Sequence, residues 1–170
     1  MLDPERMKKV RDEIRTHVLN PYLREGGKEN PNLWEILDYE NSSNLIYYGY
    51  CFNESLRIEP PVHVSSVLCF SEDVELGKYK IKKDEQIFVH MHSLYHKDSL
   101  WIEHEKFIPE RFDPSSKYAL TPKGEKRPHY AFVPFLGGKR ICLGKTFVEV
   151  ISKISGPTIL GHYDFEFLSE

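Results

Sequence analysis

The placing of prolines constrains this 170-residue chain more than any other feature. A proline inside a helix removes a hydrogen bond and clashes with the preceding turn, and inside a sheet it removes a ladder bond. The consecutive Pro60 and Pro61 therefore end whatever helix precedes them. Pro109, Pro114, Pro122, Pro128 and Pro134 deny long regular elements to residues 103–134. So long an irregular connection in a compact domain is usually functional. Regular structure is thus expected before Pro60, between Val62 and His96, and after Pro134.

In the first of these stretches, Asp3 is a good N-cap and Pro4 suits the first helical position. Met7, Val10, Ile14 and Val18 form an apolar stripe, so the spacing predicts a helix from Asp3 to Val18 that Asn20-Pro21 stops. Asn32 with Glu35 resembles a capping box for a short helix through Trp34, Ile36 and Leu37. A third helix is predicted over Ser43–Ile58. Val62–Phe70, Tyr79–Ile81 and Gln86–Val89 read as short strands, and Met91–His96 as a brief helix. A last helix should begin close to Cys142 and run through Phe147, Val148, Val150 and Ile151; Gly156-Pro157 should kink or end it, although Ile159 and Leu160 could extend it. Tyr163, Phe165 and Phe167 alternate with Asp164 and Glu166, which predicts a half-buried final strand. No repeat and no linker interrupts the chain. Residues 1–170 are expected to form a single domain of the α+β class, mainly helical.

Composition excludes several function classes. Hydrophobic residues make up 40% and charged residues 29%, enough apolar material for a core and too much polarity for a membrane bundle. The net charge of −3 gives no case for nucleic acid binding. Cys51, Cys69 and Cys142 are too few for a disulfide scaffold and suggest reduced thiols in an intracellular compartment. Charges crowd the chain from Asp3 to Arg15, unlike a targeting segment, and the sequence lacks the run of about 18 apolar residues that a spanning helix needs.

The chemistry concentrates between Phe135 and Phe147. Gly144-Lys145-Thr146 matches the end of a nucleotide-binding P-loop, but the glycine opening that nest should be residue 139, which is Lys139. A second reading centres on Cys142. A cysteine just before a helix meets the positive end of the macrodipole, which suits a thiolate. Gly137, Gly138 and Gly144 would let a planar group approach the backbone, and a thiolate there would ligate a soft or borderline metal. From the loop alone, a buried structural cysteine is about as good a reading. His90, His92 and His96 offer a weaker metal alternative, since on a strand the first two would share a face.

The spacing goes further. Phe135, Gly138, Arg140, Cys142 and Gly144 together resemble, without a gap, the haem-binding motif of the cytochrome P-450 family. Glu54 and Arg57 resemble its Glu-x-x-Arg helix. Phe107, Pro109, Glu110, Arg111 and Phe112 resemble its Pro-Glu-Arg-Phe segment. His96, Asp98 and Trp101 stand where the family commonly has His-x-Asp and a tryptophan. The chain is identified on these grounds as the C-terminal part of a cytochrome P-450 fold.

The resemblance implies haem b (iron protoporphyrin IX) as cofactor, with Cys142 as axial ligand of the iron. Phe135 would screen the sulfur, Arg140 would reach a propionate, and Gly138 and Gly144 would leave room for the ring. Glu54, Arg57 and Arg111 would form a buried structural network. The implied activity is haem-thiolate monooxygenation of a small organic substrate, using dioxygen and electrons from a reductase. Several positions depart from the pattern. Val67 stands where an arginine often binds the second propionate, with His63 as a conceivable substitute. Pro157 interrupts a helix that is usually long, Val148 replaces a small residue, and Lys82–Glu85 lacks the usual proline and glycine.

Complete members of the family are over twice this length, and those of the endoplasmic reticulum carry a membrane anchor. The sequence as it stands starts near the helix before Glu-x-x-Arg and shows no distal acid–alcohol pair, so it reads as a fragment with no catalytic residue of its own. The alternatives are an inactive piece serving as an interaction or structural element, a truncated product that does not fold alone, or half of a split enzyme completed by a separate N-terminal polypeptide.

Overall fold

A computed structural model describes residues 3–166. In chain order the elements are α1 (Pro4–Ile14), a π-helical turn (Arg15–Leu19), α2 (Asn20–Arg24), α3 (Leu33–Ile36), α4 (Tyr39–Ser42) and α5 (Ile46–Ile58). Then come β1 (Leu68–Cys69), β2 (Val74–Leu76), β3 (Tyr79–Ile81), β4 (Gln86–Ile87), α6 (Met91–Tyr95) and α7 (Lys145–His162). Short 3₁₀ turns are all that regularises residues 109–140. The class is α+β, mainly helical. The chain forms two compact units, one of Met1–Asn53 with Lys139–Glu170 and one of Glu54–Gly138.

The first unit is built on the expected stripe. Asp3 accepts the Arg6 N–H as N-cap of α1, and Val10, Ile14 and Val18 are buried with Leu33, Leu37, Leu45 and Tyr48. Ile154 and Leu160 of α7 pack on this cluster. Two glycines of α7 allow the close approach. A Cβ at Gly156 would fall 1.9 Å from the Tyr48 hydroxyl, and one at Gly161 would fall 2.3 Å from Leu33 Cδ1. The Glu13 carboxylate accepts the Tyr47 and Tyr48 N–H groups at 2.7 and 2.9 Å. These are orphan donors of the first turn of α5, so a side chain of α1 caps another helix. Arg11 donates to the Leu160 and Tyr163 carbonyls, tying down the end of α7.

Three expectations fail in this unit for identifiable reasons. Pro21 does not stop the first helix. The Asn20 N–H reaches back five residues to Arg15 O, and this wide turn leaves Pro21 in the opening turn of α2, where no N–H is needed. Pro157 does not end α7 either, and of the expected outcomes it is the extension through Ile159 and Leu160 that occurs; the proline ring is buried, and packing offsets the missing bond. Residues 163–166 form no strand, and Tyr163 and Phe165 are exposed. Phe167 lies outside the described residues. The capping box is made by Asp38 and Asn41, while Asn32 caps α3 by accepting the Trp34 N–H.

The second unit has little regular structure. β1 pairs antiparallel with β4, Leu68 opposite Ile87, and β2 pairs with β3, Val74 opposite Ile81. Gly77 at φ +61° makes the tight turn of the second hairpin. β3 has the expected bounds, β1 and β4 are shorter than the expected Val62–Phe70 and Gln86–Val89, and β2 carries no alternation that marks it in the sequence. His90 and His92 are not on a strand: His90 is the N-cap of α6 and His92 lies within it. The core of the unit is aromatic, with Trp101 against Phe112 and Phe132, and Phe132 against Tyr95.

Candidate functional site

The segment carrying Cys142 passes from the second unit to the first at Gly138–Lys139. On the second-unit side, the Leu136 N–H bonds Val133 O at 2.9 Å, closing a turn after Pro134. Leu136 and Gly138 adopt φ of +61° and +64°, the second a conformation that glycine takes without strain. No atom lies within 4 Å of where a Cβ would project from Gly137 or Gly138. Phe135 is half-buried.

On the first-unit side, Lys139 and Arg140 are exposed, and Cys142 is a free, exposed thiol three residues before α7. The Lys145 N–H bonds Cys142 O at 3.3 Å, and Gly144 opens the helix with no side chain capping it. A Cβ at Gly144 would sit 3.9 Å from Cys142 Sγ, in contact with the sulfur. Leu143, Phe147 and Ile151 recur every four residues and are all exposed, Leu143 fully. An exposed apolar stripe beside an exposed thiol is unlike a structural cysteine, and such patches mark ligand or partner surfaces.

The donor chemistry on the first-unit side suits a haem: a thiol just ahead of an 18-residue helix is a donor type that iron accepts, and Leu143, Phe147 and Ile151 beside it are apolar and exposed. His63 is engaged elsewhere, its Nε2 bonding Glu59 Oε1 at 2.8 Å, and Val67 is exposed.

Glu54, Arg57 and Arg111 converge in the second unit. Arg57 forks onto Glu54, Nε to Oε2 and Nη2 to Oε1, both at 2.8 Å. Arg111 Nε reaches Glu54 Oε1 at 3.0 Å, and the Ile108 N–H donates to the same oxygen at 2.8 Å. The remaining guanidinium donors find backbone carbonyls: Tyr95 and Lys106 for Arg57, and Ile102, Glu103 and Lys106 for Arg111. All three side chains are inaccessible, and a buried charge is tolerable only when paired and saturated in this way. Burial pulls Arg111 below the usual guanidinium range, while Glu54 opposes that pull.

One participant escaped sequence reasoning. Arg127 lies 4.2 Å over the Trp101 ring, whose other cationic neighbour is Arg57 at 5.3 Å. It donates to the carbonyls of Arg111, Tyr118 and Leu120. Burial, and then Arg111, bring its pKa down to about 10. No spacing links residue 127 to 54, 57 or 111; only Trp101, already singled out, pointed to this place. Among the described residues no group of three His, Cys, Asp or Glu is arranged to hold a metal ion, which removes the His90, His92 and His96 alternative.

Comparison with known proteins establishes the family. The family model for cytochrome P450 matches residues 1–170. The chain is 31% identical to vinorine hydroxylase of Rauvolfia serpentina over 93% of its own length and 29% of that protein's. It is 29% identical to cytochrome P450 3A11 of Mus musculus, over 96% of this chain and 28% of the relative. It is 31% identical to cytochrome P450 4F6 of Rattus norvegicus, over 89% and 25%. The cytochrome P450 family is one of haem-thiolate monooxygenases. The chain belongs to the cytochrome P450 family and spans less than a third of the length of these curated relatives. Among the described residues no helix is long and apolar enough to cross a membrane.

Proposed function

We propose that this chain supplies the cysteine-ligand side of a haem-thiolate monooxygenase, with Cys142 as the residue that holds the iron. The observation that carries this reading is the exposed Cys142 thiol, set in the family's motif ahead of α7 and beside the stripe of Leu143, Phe147 and Ile151. Haem ligated by a thiolate supplies the activation of dioxygen for oxidation of a small organic substrate, with electrons from a reductase.

The residues of the chain have separable tasks in this reading. Cys142 donates its sulfur, and the uncapped N–H groups at the start of α7 stabilise negative charge on it. Arg140 offers an exposed planar fork suited to a propionate. The apolar stripe offers a surface on which a bound ring would cover the sulfur, and Phe135 takes the screening position of the family motif. Gly137 and Gly138 keep the backbone open to the ring. Glu54, Arg57 and Arg111 do not touch the cofactor; they hold the irregular segment after Trp101 in one shape.

Titration of the 170-residue chain with haem tests the assignment. Cys142→Ala should weaken binding by more than about tenfold, as loss of an iron ligand does. Arg140→Gln should weaken it a few-fold, and Cys69→Ala should leave it unchanged. Equal binding by Cys142→Ala and the parent would refute the assignment.

A further inference from the structure

Five of the chain's eight histidines fall between residues 63 and 104, and in the second unit their rings gather in a row. The ring centroids of His63 and His92 are 5.2 Å apart, and His92 stacks on His96 at 4.1 Å with the planes 18° apart. His96 meets His104 edge-on at 5.8 Å, and His90 meets His92 at 6.4 Å.

Histidines also cap α6 at both ends. His90 Nδ1 accepts the Ser93 N–H at 3.1 Å, with the Ser93 hydroxyl at 2.9 Å. A backbone N–H can be met only by a lone pair, so His90 caps the helix only while Nδ1 carries no proton. At the other end His96 Nδ1 donates to His92 O at 2.9 Å, which leaves Nε2 as the atom that charges in acid.

The groups facing the row are unevenly placed. Glu59 holds His63 at 2.8 Å and Asp98 holds His104 at 2.7 Å, so carboxylates serve the two ends. Among the described residues, the charged group that acts on the middle pair from α5, through His96, is the Arg57 cation. Two imidazolium rings stacked at 4.1 Å would repel each other. Burial, with His92, Arg57 and His104, pulls His96 below the ordinary imidazole range.

What α6 holds gives the row a consequence. Tyr95 O accepts from Arg57 Nη1 at 2.9 Å, and the Tyr95 hydroxyl accepts the Val133 N–H at 3.3 Å. A helix of five residues does not persist without its caps. We propose that α6 is an acid-released clamp: with neutral His90, His92 and His96 it fastens Tyr95 to Arg57 and Val133, and on their protonation it unwinds and lets both go. Because burial holds the His96 imidazole below its ordinary range, release belongs to mildly acidic conditions.

Hydrogen exchange on the 170-residue chain, read as protection factors at about pH 7.5, 6.5 and 5.5, tests the clamp. Protection at residues 91–97 and at Val133 should fall about tenfold or more by the lowest pH, while residues 10–18 lose far less. His90→Asn, which keeps an acceptor at the cap and cannot titrate, should retain most of the protection. Unchanged protection at residues 91–97, loss spread evenly over all segments, or equal loss in His90→Asn would overturn the proposal. If His90→Asn fails to fold, imidazole nitrogen shifts of the unsubstituted chain decide. His90 and His96 must gain protons over the range in which residues 91–97 lose protection, and neutral rings throughout would refute the clamp.

Discussion

In the first unit Val10, Ile14, Val18, Leu33, Leu37, Leu45 and Tyr48 close on one another, and helices run wherever that cluster needs them. In the second unit one carboxylate, Glu54, gathers two guanidinium groups and a backbone N–H, and those guanidiniums gather four carbonyls of a chain with almost no regular structure. The difference lies in what each kind of order needs. Helices satisfy their own backbone and require only an apolar face to dock. An irregular chain has carbonyls left over, and when these are buried something must donate to them. Arg57, Arg111 and Arg127 do so here, and Glu54 makes two of those buried cations tolerable.

The largest effect should come from removing that carboxylate. Glu54→Ala leaves two guanidiniums facing each other and should cost about 3–5 kcal/mol, the penalty for breaking a buried ion pair. Trp101, inside this unit, reports the loss by its fluorescence when Trp34 is replaced by Phe. A parent-like denaturation midpoint would mean that the network is not what holds the unit. The matching change in the first unit is smaller. Gly156→Ala drives a methyl into Tyr48, whose hydroxyl bonds Ser152 O at 2.6 Å, and should cost about 1–3 kcal/mol as overpacked cores do. Chemical denaturation followed by helicity reads it.

Much of this contrast was legible in the sequence, for physical reasons that differ between the units. Burial of Val10, Ile14 and Val18 follows from periodicity, because a helix converts spacing into a face. Convergence of Glu54, Arg57 and Arg111 does not follow from spacing, since residues 54 and 111 share no element; the family motifs alone brought them together. Features that depend on a distant partner stayed hidden. Glu13 capping α5 and Arg127 covering Trp101 have no local signal. Pro21 reads as a stop, and Pro157 as a kink or end that Ile159 and Leu160 could override, because the sequence shows the lost hydrogen bond but not the wide turn or the packing that offsets it. His90 and His92 alternate as strand residues do, yet the Nδ1 lone pair of His90 makes it a helix cap.

Two smaller effects sharpen the comparison. Glu13→Gln keeps one acceptor and loses the charge at the start of α5, and should cost about 1 kcal/mol, a typical cap penalty. Thermal unfolding read by helicity would show it, and an unchanged midpoint would mean that water replaces the carboxylate. The response to acid should be smaller still for any one group. The His96 pKa is lowered in the folded chain, so the unfolded chain takes up this proton first. The stability His96 contributes is therefore complete above about pH 6.5 and is lost as pH falls toward its depressed folded value. His96→Gln should flatten the pH dependence of Trp101 unfolding between about pH 6.5 and 5. A dependence as steep as the parent's would assign the effect to other groups.

The most direct measurement concerns Cys142. A chain with eight histidines could bind haem through an imidazole, so affinity alone does not identify the ligand. The carbon monoxide spectrum of the reduced, haem-loaded chain does. Thiolate ligation predicts the strongly red-shifted Soret band of a cysteine-bound ferrous carbonyl in the parent and in Cys69→Ala, and its loss in Cys142→Ala. An imidazole-type spectrum in the parent, or a red-shifted band that survives Cys142→Ala, would contradict the assignment.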